Sequence, residues 1–207
     1  ALESLHMTED TILLFTSDHG CHFKTRNAEY KRSCHESSVR IPMAFYGPGI
    51  YEGAGNGCGD CQPDRCCTDL LDACGIPVPE DMQGHSLMPL LSGKKAPWPK
   101  EALIQISEAE VGRAIRTKRW KYSVQATDRD PVLDQGSGVY TEMYLYDLEH
   151  DPYELHNLIH SRAHQGVCLM LGEKLVKLMK EAGEGEAVIL PQEKEKIGQL
   201  AVFDGEE

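Results

Sequence analysis

Thr11-Ile-Leu-Leu-Phe-Thr16 is a short continuous apolar run with β-branched and aromatic side chains, and it stops at Ser17-Asp18-His19-Gly20. Runs of this length and composition suit a buried strand, typically of a parallel sheet covered by helices. In such α/β architectures, polar residues just past a strand's carboxyl end are where sites are built. The upstream Leu2, Leu5 and Met7 predict the end of a helix leading into that strand. A second strand is predicted over Val39 to Tyr46, closed by the turn Gly47-Pro48-Gly49.

Residues 52 to 63 are rich in Gly, Cys and Asp and read as a loop. Thr68 to Cys74 reads as a short helix stopped by Gly75, and Gly84 to Leu91 as a second short helical segment. Ser92 to Lys100 holds Gly93, Pro97 and Pro99 and marks a boundary, which divides the chain into residues 1–95 and 96–207. Beyond it, Ala102 to Ile106, Arg113 to Val124 and Met143 to Leu148 read as strands of an antiparallel meander, with a turn at Asp151-Pro152. Val167 to Lys180 carries Leu169, Met170, Leu171, Leu175, Val176, Leu178 and Met179 and predicts an amphipathic helix.

Composition narrows the function classes. The chain has 207 residues, 41% hydrophobic and 26% charged, with a formal charge of −12. That balance is ordinary for a globular protein and excludes a disordered, collagenous or coiled-coil chain. Eight acids against two lysines from Glu181 to Glu207 give that end a net of −6, which reads as a solvated tail. No basic footprint for nucleic acid is present, and no apolar run approaches the roughly 18 residues of a membrane span. The first ten residues carry acids and no basic region, so no signal peptide is expected there, and the start reads like the middle of something longer. The eight cysteines fall below the density of disulfide-stapled scaffolds. Most are read as reduced, which favours a reducing, cytoplasmic compartment.

Asp18 and His19 place a carboxylate and an imidazole side by side at a strand end, where both can face one metal ion; the alternative is a turn with a helix-capping aspartate. Gly20 lets the backbone turn tightly. Lys31 follows eleven residues after Gly20, and the block Lys31-Arg-Ser-Cys-His-Glu-Ser-Ser-Val-Arg-Ile-Pro42 runs into Gly47-Pro48-Gly49. Together with Thr16-Ser-Asp-His-Gly20, this closely resembles the sulfatase family. Glu36, Ser38, Arg40 and Pro42 fall in the family's order, with His35 where an aromatic is usual. Asp64 to Gly75, with Cys67 in place of the usual Pro, and Gly84-His-Ser-Leu-Met-Pro-Leu-Leu91 also match in order. So do Arg116-Thr-Lys-Arg-Trp-Lys-Tyr122 and Leu145 to Leu158.

The resemblance implies an α/β fold: the C-terminal part of an alkaline-phosphatase-like sheet-and-helix domain, followed by a small antiparallel β subdomain with a packed helix. Sulfatases hold a divalent cation, usually calcium, which neutralises charge developing on a sulfate oxygen. Asp18 and His19 match its later pair of ligands. Because imidazole is a softer ligand than calcium prefers, magnesium and manganese stay open. Lys31 matches the family's sulfate-contacting lysine, a compact point charge. The basic run His22, Lys24 and Arg26 could meet an anionic substrate; the alternative is a solvated loop. The implied partner is a sulfated small molecule or glycan.

The family's nucleophile is a formylglycine made from Cys or Ser in Cys/Ser-x-Pro-x-Arg, far upstream of Ser-Asp-His-Gly. Only 17 residues precede Asp18, so the formylglycine and the first metal carboxylates are expected in an N-terminal remainder of the same protein. Cys61-Gln-Pro-Asp-Arg65 fits the motif but follows the metal pair, and its Asp64 and Arg65 already belong to the helix block. The reading is a sulfuric ester hydrolase present as a partial chain, inactive alone. Two alternatives stand beside it. One is a phosphoryl or phosphonate monoester hydrolase of the same superfamily. The other is a non-catalytic zinc or scaffold module built on Cys58, Cys61, Cys66 and Cys67. His150, His156, His160 and His164 lie on no metal spacing and read as surface residues.

Overall fold

The computed structural model describes residues 1–50, 66–82, 84–94 and 96–193. They fall into two compact units: Ala1–Asp18 with Ile41–Pro99, and His19–Arg40 with the residues from Lys100 onward.

In the first unit, the apolar run forms strand β1 (Leu13–Thr16). Ahead of it stand two 3-10 turns, Glu3–Leu5 and Thr8–Asp10, rather than the end of an α-helix. His6 takes a left-handed conformation at φ 55° and stops the first turn. Leu5 and Met7 remain exposed, so no apolar face is buried there to stabilise a longer helix.

Helix α1, a single turn at Glu36–Val39, belongs to the second unit, and strand β2 of the first follows at Met43–Tyr46. The predicted second strand therefore begins four residues late. Its first residues are taken by the helical turn, with the Val39 and Arg40 amides donating to the His35 and Glu36 carbonyls. β1 and β2 pair antiparallel, with Leu13 opposite Tyr46 and Thr16 opposite Met43. The strand expected to be buried in a parallel sheet thus lies in a two-stranded antiparallel ribbon, and its Phe15 is 68% exposed. A two-stranded ribbon has no second layer of its own to cover either face.

Gly47 closes the ribbon at φ 143°, and a Cβ there would meet the Thr11 carbonyl oxygen at 2.5 Å. Helix α2 (Cys66–Ala73) ends at Gly75 in the left-handed region. The Ile76 amide donates to the Leu71 carbonyl and the Gly75 amide to that of Asp72, a Schellman stop. The predicted 84–91 helix shortens to α3, Met88–Leu91, because the Leu87 amide donates to the Asp69 carboxylate instead of continuing a helix.

The second unit is built on a five-stranded sheet of β3 (Glu101–Ile106), β4 (Gly112–Thr117), β5 (Trp120–Gln125), β6 (Val139–Asp147) and β7 (Val188–Leu190), in sequence order. β3 to β6 form the antiparallel meander, and β7 adds in parallel beside β6. Two differences from expectation stand out. Arg113 to Val124 is a hairpin rather than one strand. Its turn lacks Gly and Asn and is closed by Thr117, whose hydroxyl accepts from the Trp120 amide at 2.8 Å. The acidic tail is not wholly solvated either. Val188–Leu190 pairs with β6, and Ile189 packs on the core.

Helix α4 (Gln165–Glu181) buries Cys168, Leu171, Leu175 and Met179 at i+3 and i+4 spacing against Ile115, Tyr122, Tyr140 and Leu145 of the sheet. Each fully buried large apolar side chain there contributes about 1.5–3 kcal/mol. A smaller cluster of Cys34, Ile106 and Ala114 lies elsewhere in this unit, with Ile104 and Tyr144 packed on it.

Candidate functional site

Segment 19–35 carries most of the predicted site residues and forms no helix or strand. Its shape is set by polar contacts. The His22 amide donates to the Tyr30 carbonyl at 2.8 Å, and the Asn27 side-chain amide to the Arg32 carbonyl at 2.7 Å. The Gly20 amide donates to the Ser38 carbonyl at 2.7 Å. A Cβ on Gly20 would run into the Ser37 carbonyl. Close backbone approach therefore demands glycine in Asp-His-Gly.

Asp18 closes the first unit, exposed, two residues past the end of β1, and accepts a 3.4 Å bond from the Ser17 hydroxyl. His19 opens the second unit's first segment. Its Nδ1 lies 2.7 Å from the Gly20 carbonyl oxygen. A carbonyl only accepts, so this contact needs the proton on Nδ1; in the neutral ring that tautomer leaves Nε2 as the nitrogen able to ligate a cation. Tyr30 brings His19 and Lys31 to one ring. The His19 and Tyr30 centroids are 6.2 Å apart, and the Lys31 Nζ lies 5.7 Å from the Tyr30 centroid.

The basic run divides into three environments. Lys24 is exposed and, like Phe23, adopts a positive φ. Arg26 is committed to backbone: its guanidinium donates to the Tyr153 carbonyl at 2.6 Å and the Glu154 carbonyl at 2.7 Å. His22 is buried, and among the described residues neither ring nitrogen has a hydrogen-bond partner. Burial lowers its pKa against an opposing effect of its own backbone, and the Arg26 charge pushes the same way as burial, so the ring is neutral at pH 7.

A buried charge cluster in the second unit was invisible to sequence reasoning. Lys121, with 0% of its side chain exposed, lies 2.7 Å from both Glu36 and Glu154. The Glu36 amide donates to the other Glu154 oxygen at 2.7 Å, and Arg116 spans both Glu36 oxygens at 3.3 Å. Burial works to raise the Glu36 pKa, but the Lys121 charge and the Arg116 and Lys121 hydrogen bonds outweigh it and hold the pKa low. Glu154 is more deeply buried and is repelled by Glu36, so its pKa is raised in spite of Lys121. These partners are 33 to 118 residues apart in sequence, and no local spacing signals them.

Asp147, Glu149 and His150 also bring potential ligand atoms within 4.8 Å of one another. Arg119 already occupies that corner. It contacts both Asp147 oxygens at 2.7 to 3.1 Å and reaches Glu149 at 3.7 Å, so the group is an ion-pair cluster. His150 and His156 are exposed, as expected, whereas His160 and His164 are half-buried. Cys21, Cys34, Cys74 and Cys168 are free thiols, and burial pushes the Cys34 thiol up to about 12. Cys58 and Cys61 and the side chains of Cys66 and Cys67 lie outside the described residues, and with them both the zinc module and the Cys-x-Pro-x-Arg decoy.

Residues 28–181 match the family model for the C-terminal region of N-sulphoglucosamine sulphohydrolase. The chain belongs to the sulfatase family. Human arylsulfatase K is 32% identical to this sulfatase chain over 171 residues, 76% of the chain and 29% of the relative. The chain thus spans less than a third of that relative's length. The solved structure of BT4656 in complex with its substrate D-glucosamine-2-N,6-O-disulfate superposes with a TM-score of 0.74 at 25% identity. That likeness covers 88% of this chain and 36% of the other. The phosphonate monoester hydrolase of Agrobacterium radiobacter has a TM-score of 0.61 at 25% identity, over 87% of this chain and 37% of that one. The α/β fold of the sulfatase chain is accordingly that of part of an alkaline-phosphatase-like protein.

Proposed function

We propose that this chain is the C-terminal part of a sulfuric ester hydrolase acting on a sulfated small molecule or glycan. The observation that carries the reading is the Asp18-His19-Gly20 turn past β1, in a chain that belongs to the sulfatase family. The His19 tautomer supports a cation-ligating role, and Asp18 offers an exposed carboxylate beside it in the chain. These two would hold the family's divalent cation, calcium before magnesium or manganese, which supplies charge neutralisation at a sulfate oxygen. Lys31 would donate to another sulfate oxygen, with its ammonium kept near the Tyr30 ring. Lys24 is the member of the basic run available to a further anionic group on the substrate, whereas Arg26 shapes the loop. In this reading residues 1–95 belong to the catalytic domain and residues 96–207 form a C-terminal subdomain.

The nucleophile would come from a formylglycine outside these 207 residues, so the isolated chain is expected not to turn over sulfate esters. Aryl sulfate hydrolysis by the purified 207-residue chain, abolished by Cys61→Ala, would overturn that. The likeness to a phosphonate monoester hydrolase keeps a second reading in view. The full protein, assayed with an aryl sulfate and with a phenyl phosphonate monoester, separates them. The sulfatase reading expects the higher kcat/KM on the sulfate; the reverse order would replace it with the phosphonate reading.

A further inference from the structure

Segment 19–35 has no regular structure, and its large apolar side chains Phe23 and Tyr30 are exposed, at 81% and 47%. Burial of those rings therefore does little to determine where the segment lies. Two of its residues, Phe23 and Lys24, also hold left-handed conformations that a free loop would relax. Buried Cys34 and His35 at its end pack on Ile106, Ala114, Tyr144 and Tyr146, and charged groups fasten it at further points. Arg26 grips the carbonyls of the 153–154 turn, and Glu36, just past the segment, is held by Arg116 of β4 and Lys121 of β5. Lys121 reaches the same turn through Glu154, itself left-handed at φ 54°.

A buried ion cluster of this kind is not a strong source of net stability, because desolvation offsets most of the Coulomb attraction. It is a strong constraint on geometry, since each carboxylate is satisfied in only one arrangement. The three elements it joins are the segment with His19 and Lys31, the β4–β5 hairpin and the 151–154 turn.

We propose that Lys121 is a positioning residue: clamped between Glu36 and Glu154, it anchors segment 19–36 and so sets where the Lys31 ammonium and the His19 imidazole stand. The proposal rests on the reading of Lys31 as a sulfate contact. Lys121 acts through these residues and touches no substrate.

Lys121→Met alone strands two buried carboxylates and is expected to unfold the unit, so the test uses the triple variant Lys121→Met, Glu36→Gln, Glu154→Gln in the full protein, which leaves Arg116 as the cluster's one charge. Amide hydrogen exchange is read first. Residues 20–33 should exchange about tenfold faster, with β4, β5, β6 and α4 as protected as in the wild type. Turnover of an aryl sulfate is read second. Because displacement of a contacting group acts on the transition state, kcat should fall about tenfold or more with KM changed little. Lys121→Arg, which keeps the charge, should restore part of both. Unchanged exchange at 20–33 in a folded triple variant overturns the proposal whatever the activity. So does faster exchange with unchanged kcat when Lys31→Ala is inactive. Full turnover in Lys31→Ala removes the reading of the site itself, and with it the claim that the anchor serves Lys31. In a full protein without sulfate-ester turnover the site reading falls alone, and the exchange arm still decides whether Lys121 anchors the segment.

Discussion

Glu110 sits in the loop between β3 and β4, and burial pushes its pKa up to about 7 from an ordinary 4.5. A Cβ on Gly112 would meet its Oε1 at 2.9 Å, and its charge is felt by Cys34 and Tyr144 of the small apolar cluster. Burial is the sole cause of the shift. The sign follows from linkage. The folded state keeps this proton at pH values where the unfolded chain has released it, so the stability it contributes is full below about pH 4.5 and lost as pH rises through 7. A displacement of that size corresponds to at most about 3 kcal/mol. Glu110→Gln replaces the carboxyl with a neutral amide of the same size. Urea unfolding at pH 5, 6, 7 and 8, followed by far-ultraviolet circular dichroism, measures the difference. At pH 5 the variant should be more stable by less than about 1 kcal/mol, and by pH 8 the gap should widen to about 1–3 kcal/mol. A difference that does not grow with pH, or a variant less stable than wild type at pH 8, would refute the reasoning.

Three further expectations concern the core, the glycine turn and the metal ligands. Leu171→Ala empties a fully buried position between α4 and the sheet and should destabilise the second unit by about 3–5 kcal/mol in the same unfolding assay. Gly20→Ala drives a methyl into the Ser37 carbonyl and should cost about 2 kcal/mol or more, with faster exchange at the Gly20 amide, which now donates to Ser38. Calcium prefers about six to eight oxygen ligands, so the pair Asp18 and His19 should bind it only at about millimolar strength in calorimetry on the 207-residue chain; a micromolar constant lost in Asp18→Ala would mean that these residues belong to a complete site.

Local signals in the sequence carried the elements that local forces build. Leu171, Leu175 and Met179 repeat at helical spacing because one face of α4 meets the sheet, and Gly75 marks the end of α2 because a left-handed residue is required there. Thr11 to Thr16 ends where β1 ends, with Asp18-His19-Gly20 directly after it. The misses have physical causes. The β4–β5 turn is closed by a threonine hydroxyl, so no Gly or Asn announced it. β7 is three apolar residues within an acidic stretch, paired to a strand some fifty residues earlier. The buried exchange of charge among Glu36, Arg116, Lys121 and Glu154 depends on long-range contacts, and each of those residues, taken alone, looks like a solvated charge. Of the candidate site, residue types and order were legible, but the commitment of Arg26 to carbonyls and the burial of His22 were not.

Asp18 is proposed as a metal ligand of a sulfate-ester hydrolase. The most direct measurement is turnover of an aryl sulfate by the full protein and by its Asp18→Ala variant, each titrated with calcium. Calcium-dependent hydrolysis is expected in the wild type, lost by about a hundredfold or more in a variant that unfolds at the same urea concentration. Undiminished turnover in Asp18→Ala, with the same calcium dependence as the wild type, would contradict it.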